Sequence, residues 1–450
     1  MSMQEKIPRG ELTEAWDITA PRSIGVFKSG SDMRKLLSIV LAAMLIAASI
    51  WFFVVLRDNG EGDSDVDGVE VVDDGDDEND TVGSGTRDDP YLVFDVLDLQ
   101  NLSQRLGAHY ALAGDIDASA TVTWNEGAGF KPLGFFLAQF SGSLDGRGYN
   151  ITGLYINRTD EENASLFGVM GYGGTVRDMR LLDVDITGYE DVGGFAGHSY
   201  NGRILNSSVY GSVRGEKNVG GLVGRNEGII NNSYSSADIT GRNSVGGLVG
   251  RNSGGGVVEN SYAIGDVEGD NNIGGLVGIN MHGHVSRSYA TGNVEGDSKV
   301  GGLVGTNMVG TIYKSYAAGN VEAETMMVGG LVGDNWVGDV LRSYARGEVT
   351  GGAWAGGLVG HNSGTISNSY SVGAVNAGWF NAGGLVGGED GGTVSHSFWD
   401  TETSGRSRSS GGTGKTTAEM KTQSTFDPPW DFEKVWWMTE DVTYPQLRWQ

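Results

Sequence analysis

Among 450 residues there is no cysteine, so neither disulfides nor thiolate zinc sites contribute to stability. Proline is scarce, at 7 residues, and no collagen-like three-residue period accompanies the 76 glycines. Basic residues are a minority: 31 Lys and Arg face 57 Asp and Glu, giving a net charge of −26. No basic patch for a phosphate backbone is visible, which argues against nucleic acid as a partner. What is abundant is glycine, at one residue in six against a usual ~7%. Glycine permits positive φ and close approach of neighbouring backbones, both useful at tightly spaced turns between short strands.

The charge is uneven. Residues 1–57 carry 7 basic and 5 acidic groups, whereas residues 58–90 carry 14 acidic groups and only Arg87. Between these regimes, Leu36 to Leu56 is a run of 21 residues broken only by Ser38 and Ser49. At ~1.5 Å per residue it matches the ~30 Å hydrocarbon core of a bilayer. Lys28, Arg34 and Lys35 precede it, and Trp51, Phe52 and Phe53 lie near its far end. The positive-inside rule then predicts a single-pass cell-membrane anchor with a cytoplasmic N-terminus and an extracellular remainder. A cleaved signal peptide would have a core of only ~7–15 apolar residues. Residues 57–90 read as an acidic, self-repelling disordered stalk. Within it, Asp63, Asp65, Asp67, Gly68 and Asp74 resemble a calcium-binding loop, in which carboxylates on alternate residues converge on one hard cation. The twelfth position is Asp where such loops have Glu, and no flanking helices are apparent. A plain stalk without a cofactor is thus the expectation, with calcium as the alternative that the pattern suggests.

Internal periodicity predicts the architecture. The block Val-Gly-Gly-Leu-Val-Gly, or a close variant, starts at Val192, Val219, Val245, Ile273, Val300, Val328, Ala355 and Ala382, with a degenerate copy at Asn163. An asparagine column follows (Asn226, Asn252, Asn280, Asn307, Asn335, Asn362), then a Ser-aromatic column from Ser233-Tyr234 to Ser397-Phe398. Each copy offers about three short β-prone runs separated by Gly, Asn and Asp turn signals. One coil cannot bury its own apolar face, but stacking coils ~4.8 Å apart does so continuously. The fold class expected is therefore all-β: a right-handed parallel β-helix solenoid of coils of about 27 residues, preceded by a single transmembrane helix. Leu222, Leu248, Leu276, Leu303, Leu331, Leu358 and Leu385 should form one inward ladder. Leucine-rich repeats and nine-residue calcium β-rolls need frames that are absent. One ambiguity stands: a regular strand would put Ile312, Lys314 and Tyr316 on one face, and a bend or bulge would resolve it.

The Gly-Gly-Leu-Val-Gly block with its following Ser-Tyr-Ala resembles the GLUG motif of bacterial and archaeal surface proteins. Residues 140–151 resemble the segment that leads into such arrays. The stretch from Phe398-Trp399-Asp400 through residues 411–414 to Tyr444-Pro445-Gln446-Leu447 resembles their usual ending. The resemblance covers roughly residues 88–450. It implies a cell-surface or adhesin-like setting and carries over no catalytic residues. The organisation expected is a cytoplasmic tail (1–35), an anchor (36–56), a stalk (57–90), an N-terminal cap with the first coils (91–162), the repeat array (163–405) and a C-terminal cap (406–450). Val96, Leu99, Leu102 and Leu106 follow helical spacing for the first cap. Trp430, Trp436, Trp437 and Trp449 supply apolar surface for the second, unless they form an aromatic ligand platform.

No catalytic constellation stands out. Gly414-Lys415-Thr416 lacks the upstream glycine of a phosphate loop, where Ser409 stands. His282 and His284 have no clear third ligand. Asp266, Glu268, Glu295, Glu322 and Glu348 recur at equivalent points of successive coils, as a solvated edge would. The asparagine column reads as turn residues satisfied by their neighbours. Sequons at Asn79, Asn101, Asn150, Asn157, Asn163, Asn206 and Asn231 suit a surface protein and carry little weight alone. The variable positions Arg225, Arg251, Ile279, Thr306, Asp334 and His361 should line one long face. The functional expectation is a non-enzymatic adhesion or envelope-interaction module that binds a glycan or a protein. Its alternatives are a polysaccharide lyase or hydrolase, which an off-pattern carboxylate cluster in a groove would favour, and a passive coat or spacer.

Overall fold

A computed structural model describes residues 82–378, 381–426 and 428–450. The anchor at 36–56 and the calcium-loop candidates Asp63, Asp65, Asp67 and Asp74 lie outside the described residues. Among the described residues, no helix is long and apolar enough to cross a membrane.

Most of the described residues between Tyr91 and Lys415 wind into a parallel β-solenoid. In one coil, Val277–Met281 lies in a nine-stranded sheet, His284–Ser286 in a twelve-stranded sheet, and Tyr289–Ala290 and Val294–Gly301 in a sheet of 22 strands. Pairing between coils is parallel and carries each residue onto its counterpart one repeat later: Val277 onto Val304, Val285 onto Ile312, Tyr289 onto Tyr316. The seven ladder leucines are all fully buried, as their spacing predicts. Each stabilises the fold by about 1.5–3 kcal/mol relative to an exposed side chain.

The block glycines serve close approach rather than unusual dihedrals. A Cβ on Gly274 would meet the Val277 carbonyl oxygen at 2.1 Å, and one on Gly275 would meet that of Gly302 at 2.2 Å. Positive φ falls instead on non-glycine residues, such as Asn272 (58°), His282 (59°) and Arg287 (47°). Asn and Asp tolerate this region better than other side chains, which explains much of the Asn content at these bends.

The bend before each serine settles the Ser-Tyr register. Lys314 has φ 50°, so Ile312 points into the core while Ser315 also turns inward and Tyr316 turns out. Each buried serine then completes the backbone. Ser288 Oγ donates to the Ser286 carbonyl (2.8 Å) and accepts from the Ser261 N–H of the preceding coil (3.2 Å). The asparagines form a second ladder in which each Nδ2 donates to the next Oδ1 at 2.8–2.9 Å, from Asn226 to Asn362. The outward tyrosines from Tyr234 to Tyr370 stack on one another at 4.6–5.0 Å.

Both ends are covered. The helix Val96–Asn101 buries Val96 and Leu99 and is N-capped by Asp95, whose carboxylate accepts from Leu97 and Asp98 N–H at 2.9 Å. At the other end, Ser409 Oγ accepts from Val386 N–H at 2.8 Å, and Thr413–Lys415 pairs with Phe398–Asp400. Trp430 packs against the last coil, where its Nε1 donates to the His396 carbonyl at 2.9 Å and its ring lies 6.1 Å from Phe398. Residues 417–450 run back along the tyrosine stack: Trp430 and Trp436 are buried with Tyr344 and Tyr370, and Trp449 Nε1 donates to the Lys314 carbonyl at 2.9 Å.

Candidate functional site

The predicted variable row exists. On the nine-stranded sheet, Val169, His198, Arg225, Arg251, Ile279, Thr306, Asp334 and His361 follow one another in register. Its far half is closed by its own contacts. Thr306 donates to Asn272 Oδ1 at 2.7 Å, Asp334 meets His361 at 3.0 Å and Lys299 at 3.4 Å, and the His361 ring stacks on Trp354 at 5.1 Å.

The near half opens into a groove of about 410 Å³ between the first two full copies of the block. Its floor is Asp191, His198, Arg225 and Glu227; Phe136 and Tyr200 form its walls. Arg225 donates twice to Glu227 Oε1, from Nε at 3.0 Å and from Nη2 at 2.8 Å. His198 Nε2 faces the same oxygen at 3.6 Å, too far for a hydrogen bond, and has no hydrogen-bond partner among the described residues. Burial, and then the Arg225 cation, pulls the His198 imidazole below its usual pKa. Burial pushes the Asp191 carboxyl up to about 6, against a hydrogen bond from Asn218 (2.8 Å) that acts the other way. Phe136 and Leu137 form the tip of a turn closed by reciprocal backbone bonds between Phe135 and Ala138. Tyr200 meets both His198 and Tyr172 edge to face at 6.1 Å.

Sequence reasoning singled out Arg225 but missed Asp191, His198, Glu227 and the aromatic wall. A signal was present. The copy at Val192 departs from its neighbours: His198 stands where Arg225 and Arg251 follow, and Tyr200 where Glu227 follows.

The other candidates come together less. Glu268, Glu295 and Glu322 are aligned on successive coils, while Asp266 accepts from the Asn293 N–H at 2.8 Å. His284 is exposed on its strand, and no group of three or more His, Asp or Glu suited to a metal occurs among the described residues. Thr416 caps the four-residue helix Thr417–Met420, and Lys415 pairs with Glu419 at 3.2 Å.

The model for the GLUG motif matches residues 215–240, 241–268 and 269–295. The chain carries GLUG repeats. Among relatives of this GLUG chain, a putative Gly-rich membrane protein of Evansella cellulosilytica is 40% identical over 462 residues, 92% of this chain and 49% of that protein. Halomucin of Haloquadratum walsbyi is 40% identical over 153 residues, 32% of this chain and 2% of the relative. An immunoglobulin A1 protease of Streptococcus sanguinis is 33% identical over 139 residues, 30% and 7% respectively. The GLUG chain thus spans at most about half the length of these curated relatives. Of solved structures, a putative immunoglobulin A1 protease from Bacteroides ovatus gives a TM-score of 0.37 at 20% identity, covering 82% of this chain and 95% of that one. An IgA1 protease gives 0.43 at 19%, covering 56% and 21%.

Proposed function

We propose that this GLUG-repeat protein stands on a cell surface and binds a polymeric partner, leaving it chemically intact. The observation that carries the reading is the row on the nine-stranded sheet, which runs along successive coils and opens at one end into a groove with acidic and aromatic residues. Repeat solenoids bind extended partners along such faces. The coil is taken as right-handed, as nearly all parallel crossover connections are. Residues 36–56 anchor it with the N-terminus in the cytoplasm, and residues 57–90 hold the array outward. The membrane-protein and halomucin names of two relatives agree with this setting.

A second reading is a glycan hydrolase, which two carboxylates lining one groove favour: Asp191, which burial pushes up to about 6, and Glu227, whose Oε1 accepts from Arg225. One experiment separates the readings. Full-length protein is mixed with envelope and extracellular polysaccharides, and polymer mass is followed by size-exclusion chromatography with light scattering. Co-elution at constant polymer mass supports binding. A falling mass makes the protein an enzyme, and absence of any interaction across the panel refutes the polymer-binding reading.

A further inference from the structure

We infer that the groove at Asp191, His198, Arg225 and Glu227 is a single sugar subsite, selective for an uncharged or amine-bearing pyranose ring over an acidic one. This deepens the polymer-binding reading and rests on it only for the biological setting; the subsite can be tested alone.

The first observation is the wall. Phe136 is 73% exposed and Leu137 86%, at a turn tip fixed by two backbone hydrogen bonds of 3.0 and 2.9 Å. Large apolar side chains held out on an ordered turn add nothing to the core, and clustered exposure of this kind marks an interaction site. Tyr172 and Tyr200 extend the cluster, 72% and 40% exposed. Unlike the tyrosines of the long stack, whose faces are consumed by one another at 4.6–5.0 Å, Tyr172 and Tyr200 meet edge to face. Their exposure leaves ring surface available to a ligand.

The second observation is the floor. The three hydrogen bonds that Glu227 accepts all fall on Oε1, from Arg225 twice and from Ser253 at 3.5 Å, so among the described residues Oε2 has no hydrogen-bond partner. His198 Nε2 is likewise without a hydrogen-bond partner, on a side chain only 14% exposed. Leaving such groups dry under an apolar partner would be unfavourable. A ligand that covers the groove must therefore bring hydroxyl or amine groups to the floor and an apolar face to the wall. A pyranose does both: its C–H face is apolar and its rim carries hydroxyls. The volume of about 410 Å³ lies within the ~300–1,000 Å³ range of small-molecule sites.

Charge narrows the class. Glu162, Asp191 and Glu227 outnumber Arg225, the one Lys or Arg lining the groove, and that guanidinium is already committed to Glu227. A carboxylated or sulfated ring would face uncompensated repulsion, whereas a neutral ring or an ammonium group would not. Among the described residues the pair of His198 and Tyr200 does not recur: later copies have Arg225 with Glu227, then Arg251 with Ser253. Binding should show one site per chain.

The test uses the full-length protein and saturation-transfer NMR with the methyl glycosides of glucose, galactose, N-acetylglucosamine, glucosamine and glucuronic acid. At least one neutral or amine-bearing glycoside should bind with transfer to its C–H face, and the glucuronide should not. Phe136→Ala and Tyr200→Ala, both at exposed positions that spare the fold, should each weaken binding about tenfold or more. Arg242→Ala, in the bend between Tyr234–Thr240 and Asn243–Gly246, should change it less than twofold. Binding of the glucuronide alone, binding untouched by both aromatic variants, or no glycoside bound would overturn the subsite. Polymer co-elution that survives Phe136→Ala and Tyr200→Ala would sink the subsite while leaving the polymer-binding reading intact. Glycoside binding without polymer co-elution would do the reverse.

Discussion

Removing the Asn280 side chain should destabilise the middle of the solenoid by about 1–3 kcal/mol. Asn280 is fully buried, donates to Asn307 Oδ1 at 2.9 Å and to the Gly283 carbonyl at 3.2 Å, and accepts from Asn252 Nδ2 at 2.9 Å. Asn280→Ala strips the donor from the buried Asn307 Oδ1, and an unsatisfied buried group costs about 1–3 kcal/mol; the Gly283 carbonyl keeps the Thr311 N–H at 3.0 Å. Asn252 Nδ2 keeps its bond to the Gly256 carbonyl at 2.9 Å, so it adds little. Asn280→Asp is the sharper variant. An ionised carboxylate still accepts from Asn252 but turns an oxygen toward Asn307 Oδ1, with no proton to share. Its stability should recover as pH falls through the carboxylate range, because protonation restores one donor. Asn293, exposed at a turn, is the control, and its replacement by Ala should cost under about 1 kcal/mol. A solenoid need not unfold in one step, so denaturant melts should be paired with amide hydrogen exchange across the neighbouring coils. If Asn280→Ala stays within about 0.5 kcal/mol of the parent and exchange there is unchanged, the ladder is decoration and the argument fails.

Leu303→Ala should cost about 3–5 kcal/mol by leaving a cavity in the inward ladder, as read by denaturant unfolding. Asp191, with its pKa raised from 3.8 to about 6, contributes stability that is fully present below pH 4 and lost as pH rises through 6. The swing is up to about 3 kcal/mol, and Asp191→Asn should remove that part of the pH profile; an unchanged profile would contradict its burial. His198, whose pKa is lowered, acts in the opposite direction, contributing stability that is lost as pH falls below its usual range, so the comparison of variant with parent is the informative one. Trp449→Ala removes the indole that lies 6.3 and 6.0 Å from Tyr289 and Tyr316. Burial pushes Tyr289 up to about 12, so ultraviolet titration of the variant should bring a tyrosine back toward 10.

Much of the array was legible because its information is translational. A residue and its counterpart about 27 positions later share one environment, so leucine, serine and asparagine columns appear directly as ladders. The Ile312, Lys314 and Tyr316 conflict was visible in the sequence, and so was its remedy; only the left-handed φ at Lys314 shows how a single residue turns Ser315 inward. The glycines were half understood. Their closeness to the next coil, rather than positive φ, is what the block demands.

The sequence by itself determined the period, the inward ladder and the alignment of variable positions along one face. Each follows from repetition, which needs only neighbouring copies to be compared. Tertiary structure alone decided the groove and the course of residues 417–450. The groove joins the Phe136 turn to Glu227 across two coils, and no periodic column links those residues. The C-terminal segment runs back to Lys314, 135 positions from Trp449, because stacked tyrosine rings present apolar surface that exists only once the coils are assembled.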